Sequence, residues 1–274
     1  MNAFIATVIV IGRRERVDEA ADALDRLRER GSVRRVLISE GTEITASPDE
    51  HDSTIRIDNL SPKYVDNAVA WLRLSSLPAV VWWRGGVPHA LEGLAPLADR
   101  IVLDTDPADE LWSLAPSLFA STALTDLRWS ALTRWRAALA QLFDLPQVRQ
   151  GLAPPRRLEI EASDRASARL FAGWLRSSLP GGNGMTIAID DVPSPVPLLR
   201  VPLSQVRLSG DGIGVTLRVL GDGTCLEALV DGDGGRTVPL GDGSLAARFV
   251  EEIGVRSRDA AFERALPAAL EIGA

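Results

Sequence analysis

An alternation of two hydrophobic periods through the first hundred residues constrains this chain more than any other feature. Ala6-Thr7-Val8-Ile9-Val10-Ile11 is an unbroken β-rich apolar run, as expected of a strand buried on both faces. Val17, Ala20, Leu24 and Leu27 then recur at helical spacing, with Gly31 as a stop. Residues 33–39 read as a second strand and 51–57 as a short alternating third. Ser61-Pro62 opens a helix with proline in its first turn. That helix carries Val65, Val69 and Leu72 on one face to about Ser76. Residues 78–83 read as a strand, a helix follows near 88–98, and 101–103 is a strand ending at Asp104. This order implies an α/β fold: an N-terminal open, mostly parallel (Rossmann-like) sheet with right-handed crossovers and flanking helices.

Further along, Trp129, Leu132, Trp135, Leu139, Leu142 and Phe143 form one stripe of a helix expected over 125–145. Asp126 sits near its start, where an anion suits the helix dipole. Pro146 stops it, and Pro154-Pro155 makes 151–155 a linker of extended backbone. We therefore expect an N-terminal α/β domain over 1–150 and a smaller C-terminal α+β domain over 156–274. In the latter, strands at 157–161 and 185–189 flank a helix at 164–179 with Ala168, Phe171 and Leu175 inward. Pro193, Pro195, Pro197 and Pro202 punctuate an extended stretch. Ten glycines fall in the 34 residues 210–243, mostly as Gly-Asp-Gly between strand-like runs, which signals β-hairpins. Helices near 244–252 and 258–270 close the chain.

Composition removes several classes of function. The formal charge is −7, whereas a nucleic-acid binder needs a dense basic face to displace counterions. The single cysteine, Cys225, cannot form an internal disulfide and reads as a buried structural thiol. With only His51 and His89 beside it, no Cys/His zinc site can be assembled, and both histidines read as surface or loop residues. No apolar run is long enough to span a membrane. The apolar start at 3–11 lacks a basic flank before it and reads as a strand rather than a signal peptide, so a cytoplasmic protein is expected. The turn after the first strand, Gly12-Arg13-Arg14-Glu15-Arg16, has one glycine where a dinucleotide fingerprint needs three. Asp231-Gly232-Asp233-Gly234 lacks the spacing of a calcium loop and reads as turn chemistry. Neither a cofactor nor a metal is expected, and no nucleophile–base pair is evident.

The candidate functional residues lie at strand ends and on the tryptophan helix. Trp82 and Trp83 are adjacent in a strand and must point to opposite faces. Arg84 and Gly85-Gly86 follow at the strand's carboxyl end, where open α/β sheets place ligands. Asp104 ends the next strand in the same way. One reading is a buried Arg84–Asp104 pair that stitches the strand ends. Arg128 and Arg136 lie in or beside the tryptophan stripe and need a partner, which Asp104, Asp126 or Asp99 could supply, whereas Arg134 lies on the far face. Trp and Arg also anchor protein interfaces. An alternative reading joins Arg84, Asp104 and Arg136 into a pocket for a small anion such as a sugar phosphate, in a sensor or diverged enzyme.

Three motifs carry a resemblance. Leu77-Pro78-Ala79-Val80-Val81-Trp82-Trp83-Arg84-Gly85, Ala98-Asp99-Arg100-Ile101-Val102-Leu103-Asp104 and Leu127-Arg128-Trp129-Ser130-Ala131-Leu132-Thr133-Arg134-Trp135-Arg136 resemble, in order and spacing, the OpcA family of glucose-6-phosphate dehydrogenase assembly proteins. Ala140-Gln141-Leu142-Phe143-Asp144 and Ala172-Gly173-Trp174-Leu175 extend the likeness, which covers about residues 3–180. Gly31-Ser32-Val33-Arg34 stands where the family usually has a His-Pro-Ser-Arg-like stretch, and Leu103-Asp104-Thr105 replaces a more usual Val-Asp-Ser. The cysteine-based redox control of cyanobacterial members does not carry over to a chain with Cys225 alone. The resemblance implies a non-catalytic, cytoplasmic partner of glucose-6-phosphate dehydrogenase that promotes its active oligomer. The resemblance brings no catalytic residues to transfer; the residues at the strand ends and on the tryptophan helix to examine are Trp82, Trp83, Arg84, Asp104, Asp126, Trp129, Arg134, Trp135 and Arg136, with Arg134 best placed for direct contact because its helical position points away from the stripe.

Overall fold

A computed structural model describes residues 4–26, 31–41, 45–49, 54–194, 201–255 and 257–272. Leu27, His51, Pro195 and Pro197 of the sequence reading lie outside them. Along the chain run β1 (Phe4–Gly12), α1 (Arg14–Asp25), β2 (Gly31–Glu40), β3 (Thr45–Asp49), β4 (Thr54–Leu60), α2 (Val65–Leu72), β5 (Ala79–Trp83), α3 (Ala90–Leu94), β6 (Arg100–Leu103), α4 (Asp109–Leu118) and β7 (Ala123–Asp126). There follow α5 (Leu127–Ala131), α6 (Thr133–Leu142), α7 (Pro146–Gly151), β8 (Arg157–Ala162), α8 (Arg165–Ser178), β9 (Thr186–Asp191), β10 (Leu203–Ser209), β11 (Gly214–Val219), β12 (Cys225–Val230), β13 (Asp233–Pro239), α9 (Leu245–Gly254) and α10 (Ala260–Ile272).

These elements form two compact units, Met1–Leu127 with Leu245–Asp259, and Arg128–Ser244 with Ala260–Ala274. The first holds a seven-stranded sheet in the order β3-β4-β2-β1-β5-β6-β7. All its pairings are parallel except that of β3 with β4. This is the open, mostly parallel sheet that the strand–helix alternation predicts. The even-numbered side chains of β1, Ala6, Val8 and Val10, join Val17, Ala20 and Leu24 of α1 and Phe249 and Ile253 of α9 in one core. Trp82 of β5 belongs to the same core and stacks on Phe249, with ring centroids 3.9 Å apart. Trp83 is equally buried and, by strand alternation, faces the other layer.

The second unit holds a six-stranded sheet, β13-β12-β11-β10-β8-β9, antiparallel except for β8 with β9. Its buried face alternates along each strand: Leu158, Ile160 and Ala162 on β8, Val206 and Leu208 on β10, Val215 and Leu217 on β11. The hairpin between β12 and β13 turns on Asp231-Gly232, both at positive φ, with Val230 paired to Asp233. This is the two-residue turn for which Asp-Gly is suited. Asp222 and Asp242 spend their carboxylates on the amide and hydroxyl of Thr224 and Ser244, so the Gly-Asp-Gly segments are turn chemistry.

Several expectations need correction. The 125–145 helix is a strand end followed by two helices. Thr125 and Asp126 pair with Val102 and Leu103, a long-range constraint that outweighs the helical spacing. Asp126 therefore ends β7 and, directly before Leu127, still stands at a helix N-terminus, that of α5. The unit boundary falls after Leu127, not at 150–156, and α9 belongs to the first unit because Phe249 and Ile253 complete its core. The third strand is displaced to Thr54–Leu60, and β3, α4, β7, α7 and β10 add to the expected elements, α7 opening at the Pro146 expected only to end a helix. The helix opened by Ser61-Pro62 begins as a 3-10 turn and ends at Leu72. Cys225 is half-buried, at the start of β12, rather than buried.

One buried acid ties pH to stability in the first unit. Burial pushes the Glu252 carboxyl of α9 up to about 8, helped by Glu251 and Asp259 and opposed by a hydrogen bond from Thr125 and the charge of Arg100. The folded state therefore holds more protons than the unfolded chain between about 4.5 and 8, and stability falls as pH rises through that window. Glu252→Gln keeps the shape and removes the titration. Urea unfolding at about pH 5 and about pH 8.5 should show the variant losing clearly less stability across the interval than the parent; equal losses would contradict the assignment.

Candidate functional site

The chain leaves β1 toward β2 and returns on its other side at β5. The carboxyl ends of β1 and β5 thus border the crevice in which open α/β sheets bind ligands. Here the crevice is closed by the chain itself. The amide of Arg84 donates to the carbonyl of Ile11 at 2.7 Å. A Cβ at Gly12 would stand 3.2 Å from the Arg84 carbonyl carbon, so the glycine serves close approach of the two strand ends.

The Arg84 side chain is 1% exposed and runs from β5 to α1 and to the loop after β6. Its Nε donates to Asp104 Oδ2 at 2.7 Å, Nη1 to the Arg16 carbonyl at 2.6 Å and Nη2 to Glu19 Oε2 at 2.8 Å. Arg16 in turn reaches Asp104 Oδ1 at 3.3 Å and lies 3.6 Å from Glu19. The Arg84 guanidinium carbon also lies 5.1 Å from the centroid of the Trp82 ring. Two arginines meet two carboxylates, so the cluster is neutral and directs no excess positive charge at a phosphate. The strand-stitching reading of Arg84 and Asp104 is the geometry found, and Arg16 and Glu19 complete it. Their i,i+3 spacing on α1 is visible in the sequence; their meeting with β5 is not. Asp126, also buried, accepts from Trp112 Nε1 of α4 at 2.7 Å.

In the second unit, Trp129 and Trp135 are buried on α5 and α6. The Arg136 guanidinium carbon lies 3.5 Å from the centroid of the Trp129 ring, and Nη2 donates to the Trp129 carbonyl and Thr133 Oγ1. Trp129 meets Phe262 of α10 edge-on at 5.6 Å. Arg128 Nε donates to Asp164 at 3.0 Å, a carboxylate not among the three weighed from the sequence. Asp164 also caps α8 by accepting from the amide of Ala166. Arg134 is exposed on α6, about 100° around the helix from the buried Trp135. Of the nine candidates, Trp82, Trp83, Arg84, Asp104 and Asp126 thus belong to the first unit, and Trp129, Arg134, Trp135 and Arg136 to the second.

Sequence reasoning passed over Trp71, which is 87% exposed on α2. A signal was there: Tyr64 and Trp71 are seven residues apart, on the side of the helix opposite the buried Val65 and Val69. His89 is exposed beside α3, as a loop histidine should be. Among the described residues no helix is long and apolar enough to cross a membrane.

Fold and strand ends together define a Rossmann-like α/β protein whose ligand crevice is taken by its own ion cluster. A solved structure of the super-repressor mutant of Gal80p from Saccharomyces cerevisiae is similar with a TM-score of 0.50 and 9% identity, over 90% of this chain and 83% of that one. At that identity the likeness concerns the fold alone. An oxidoreductase from Sinorhizobium meliloti gives a TM-score of 0.47 and 13% identity, over 99% of this chain and 88% of that one. Residues 122–266 match the OpcA family, described as the C-terminal domain of a glucose-6-phosphate dehydrogenase subunit, and the chain belongs to that family. A curated relative, the putative OxPP cycle protein OpcA of Synechococcus elongatus, is 30% identical over 135 residues. The match covers 46% of this chain and 30% of that protein's length.

Removing the Arg84 guanidinium would strand Asp104 and Glu19 around an unfilled crevice. Arg84→Met should lose about 3 kcal/mol, the lower end for a broken buried pair because both carboxylates keep some solvent. Urea denaturation reads this directly, and an unchanged midpoint would show the cluster to be dispensable.

Proposed function

We propose that this chain is a non-catalytic assembly factor that binds glucose-6-phosphate dehydrogenase in the cytoplasm. Through that binding it promotes the active oligomer of the enzyme and so serves the oxidative pentose phosphate pathway. The family match over residues 122–266, whose description names that dehydrogenase, carries the reading. The curated relative's name, an OxPP cycle protein, agrees with it. The strand ends support a role without chemistry of its own: Arg84, Arg16, Asp104 and Glu19 neutralise one another. Such a factor acts by linkage. It binds the active oligomer better than the inactive form, and its effect is bounded by that difference in binding free energy.

Among the nine candidate residues the tryptophans, Arg84, Asp104 and Asp126 serve as scaffold, and Arg136 is held on Trp129. Arg134, exposed on α6, is the one we assign to direct contact. The test is the oligomer distribution of the same organism's purified dehydrogenase, followed by mass photometry as this chain is added. Growth of a heavier species containing both proteins is expected, and Arg134→Glu should require at least tenfold more protein for the same shift, a loss of about 1.4 kcal/mol. Two folded proteins that leave each other's mass unchanged would refute the reading.

A further inference from the structure

The turn after β5 packs bare backbone against a buried carboxylate. Gly85 and Gly86 both stand at positive φ, 140° and 130°, a region that residues with a side chain rarely enter. A Cβ at Gly86 would collide with the Glu40 carboxylate and stand 2.8 Å from Trp83 Cζ2. Glu40 ends β2 and Trp83 ends β5, with β1 between the two strands. A Cβ at Gly85 would stand 3.9 Å from the Arg13 nitrogen. The two glycines therefore cross from the end of β5 to the end of β2 over the end of β1.

This closed arrangement leaves two buried polar atoms without a hydrogen bond among the described residues, Glu40 Oε1 and Trp83 Nε1. Cζ2 and Nε1 lie on the same edge of the indole, so the idle donor belongs to the ring edge that Gly86 covers. Buried polar atoms left unbonded raise the free energy of the closed state. Burial pushes the Glu40 carboxyl above the usual carboxylate range, against the Val87 N–H that it accepts. That N–H is how Glu40 holds the turn.

Two anchors bound the segment. The Arg84 amide is bonded to the Ile11 carbonyl at 2.7 Å, and the Val87 carbonyl accepts from the amide of Ala90, at the start of α3, at 3.0 Å. Gly85 and Gly86 have no side chains to unpack. Moving the backbone between the anchors gives up the Val87–Glu40 bond, hydrates Oε1 and Nε1, and leaves the pairing of β1 with β5 in place.

We infer that Gly85–Gly86 is a hinged clasp, latched by Glu40 through the Val87 amide, that opens while the sheet stays folded. Opening turns the Glu40 carboxylate and the edge of Trp83 to solvent, at the end of the sheet where open α/β folds admit ligands. Openings of this kind lie below the free energy of global unfolding. The clasp is independent of whether the chain binds the dehydrogenase.

Native-state hydrogen exchange of the full chain, followed by NMR in low urea, tests the clasp. The Val87 amide and the Trp83 indole N–H should exchange about a hundredfold faster than the amides of Val10 and Val81 in the central strands, at rates that low urea leaves unchanged. The Trp112 indole N–H, bonded to Asp126, is the buried control and should exchange slowly. Gly86→Ala should remove protection from the Val87 amide and the Trp83 indole while the strand amides stay protected. Exchange of both groups at the rate of the strand amides, rising with urea as theirs does, would overturn the clasp. So would a folded Gly86→Ala in which both stay protected, or a Trp83 indole as slow as that of Trp112 beside a fast Val87 amide, which is fraying of one amide. If Gly86→Ala does not fold, the exchange of the parent decides.

Discussion

The guanidinium of Arg84 holds the first unit together at the point where its sheet changes direction. One side chain joins the end of β5 to the first turns of α1 and to the loop after β6. A planar, permanently charged group with donors in a fixed fork suits this task, and a lysine could not engage two carboxylates and a carbonyl in the same plane. The cluster occupies the crevice that would otherwise be the fold's ligand site. Stability of the first unit and the bridging of its strand ends therefore have one cause.

Much of the first unit was legible in the sequence because its constraints are local. The 6–11 run could only be an inner strand, and the α1 spacing of Val17, Ala20 and Leu24 could only be an amphipathic helix. The Asp231-Gly232 hairpin was legible for the same reason: the turn itself demands those residues. What escaped was long-range. The spacing over 127–142 cannot report that Thr125 and Asp126 pair with β6. Nor can a sequence window around 249 report that Phe249 stacks on Trp82, far earlier in the chain. The candidate site divided in the same way. Arg84 and Asp104 were found because both end strands, whereas Glu19 and Arg16 required the crossover to be built. Asp164, a partner of Arg128, was hidden because tertiary packing alone brings it there.

The residues that attracted notice in the sequence are mostly the ones the fold consumes. Trp82, Trp83, Trp129 and Trp135 are buried, and Arg84 and Arg136 are held by neighbours. The groups left facing solvent are plainer: Arg134 on α6, and Trp71 with Arg73 at the end of α2. These exposed groups stand on a chain whose formal charge is −7.

The dehydrogenase's own rate is the most direct test of the proposed role. At fixed enzyme and at substrate below half-saturation, increasing amounts of this chain should raise the initial rate of the same organism's glucose-6-phosphate dehydrogenase. The rise should level off at a fixed molar ratio of the two proteins. A rate that stays flat up to a large excess of folded chain would contradict the account.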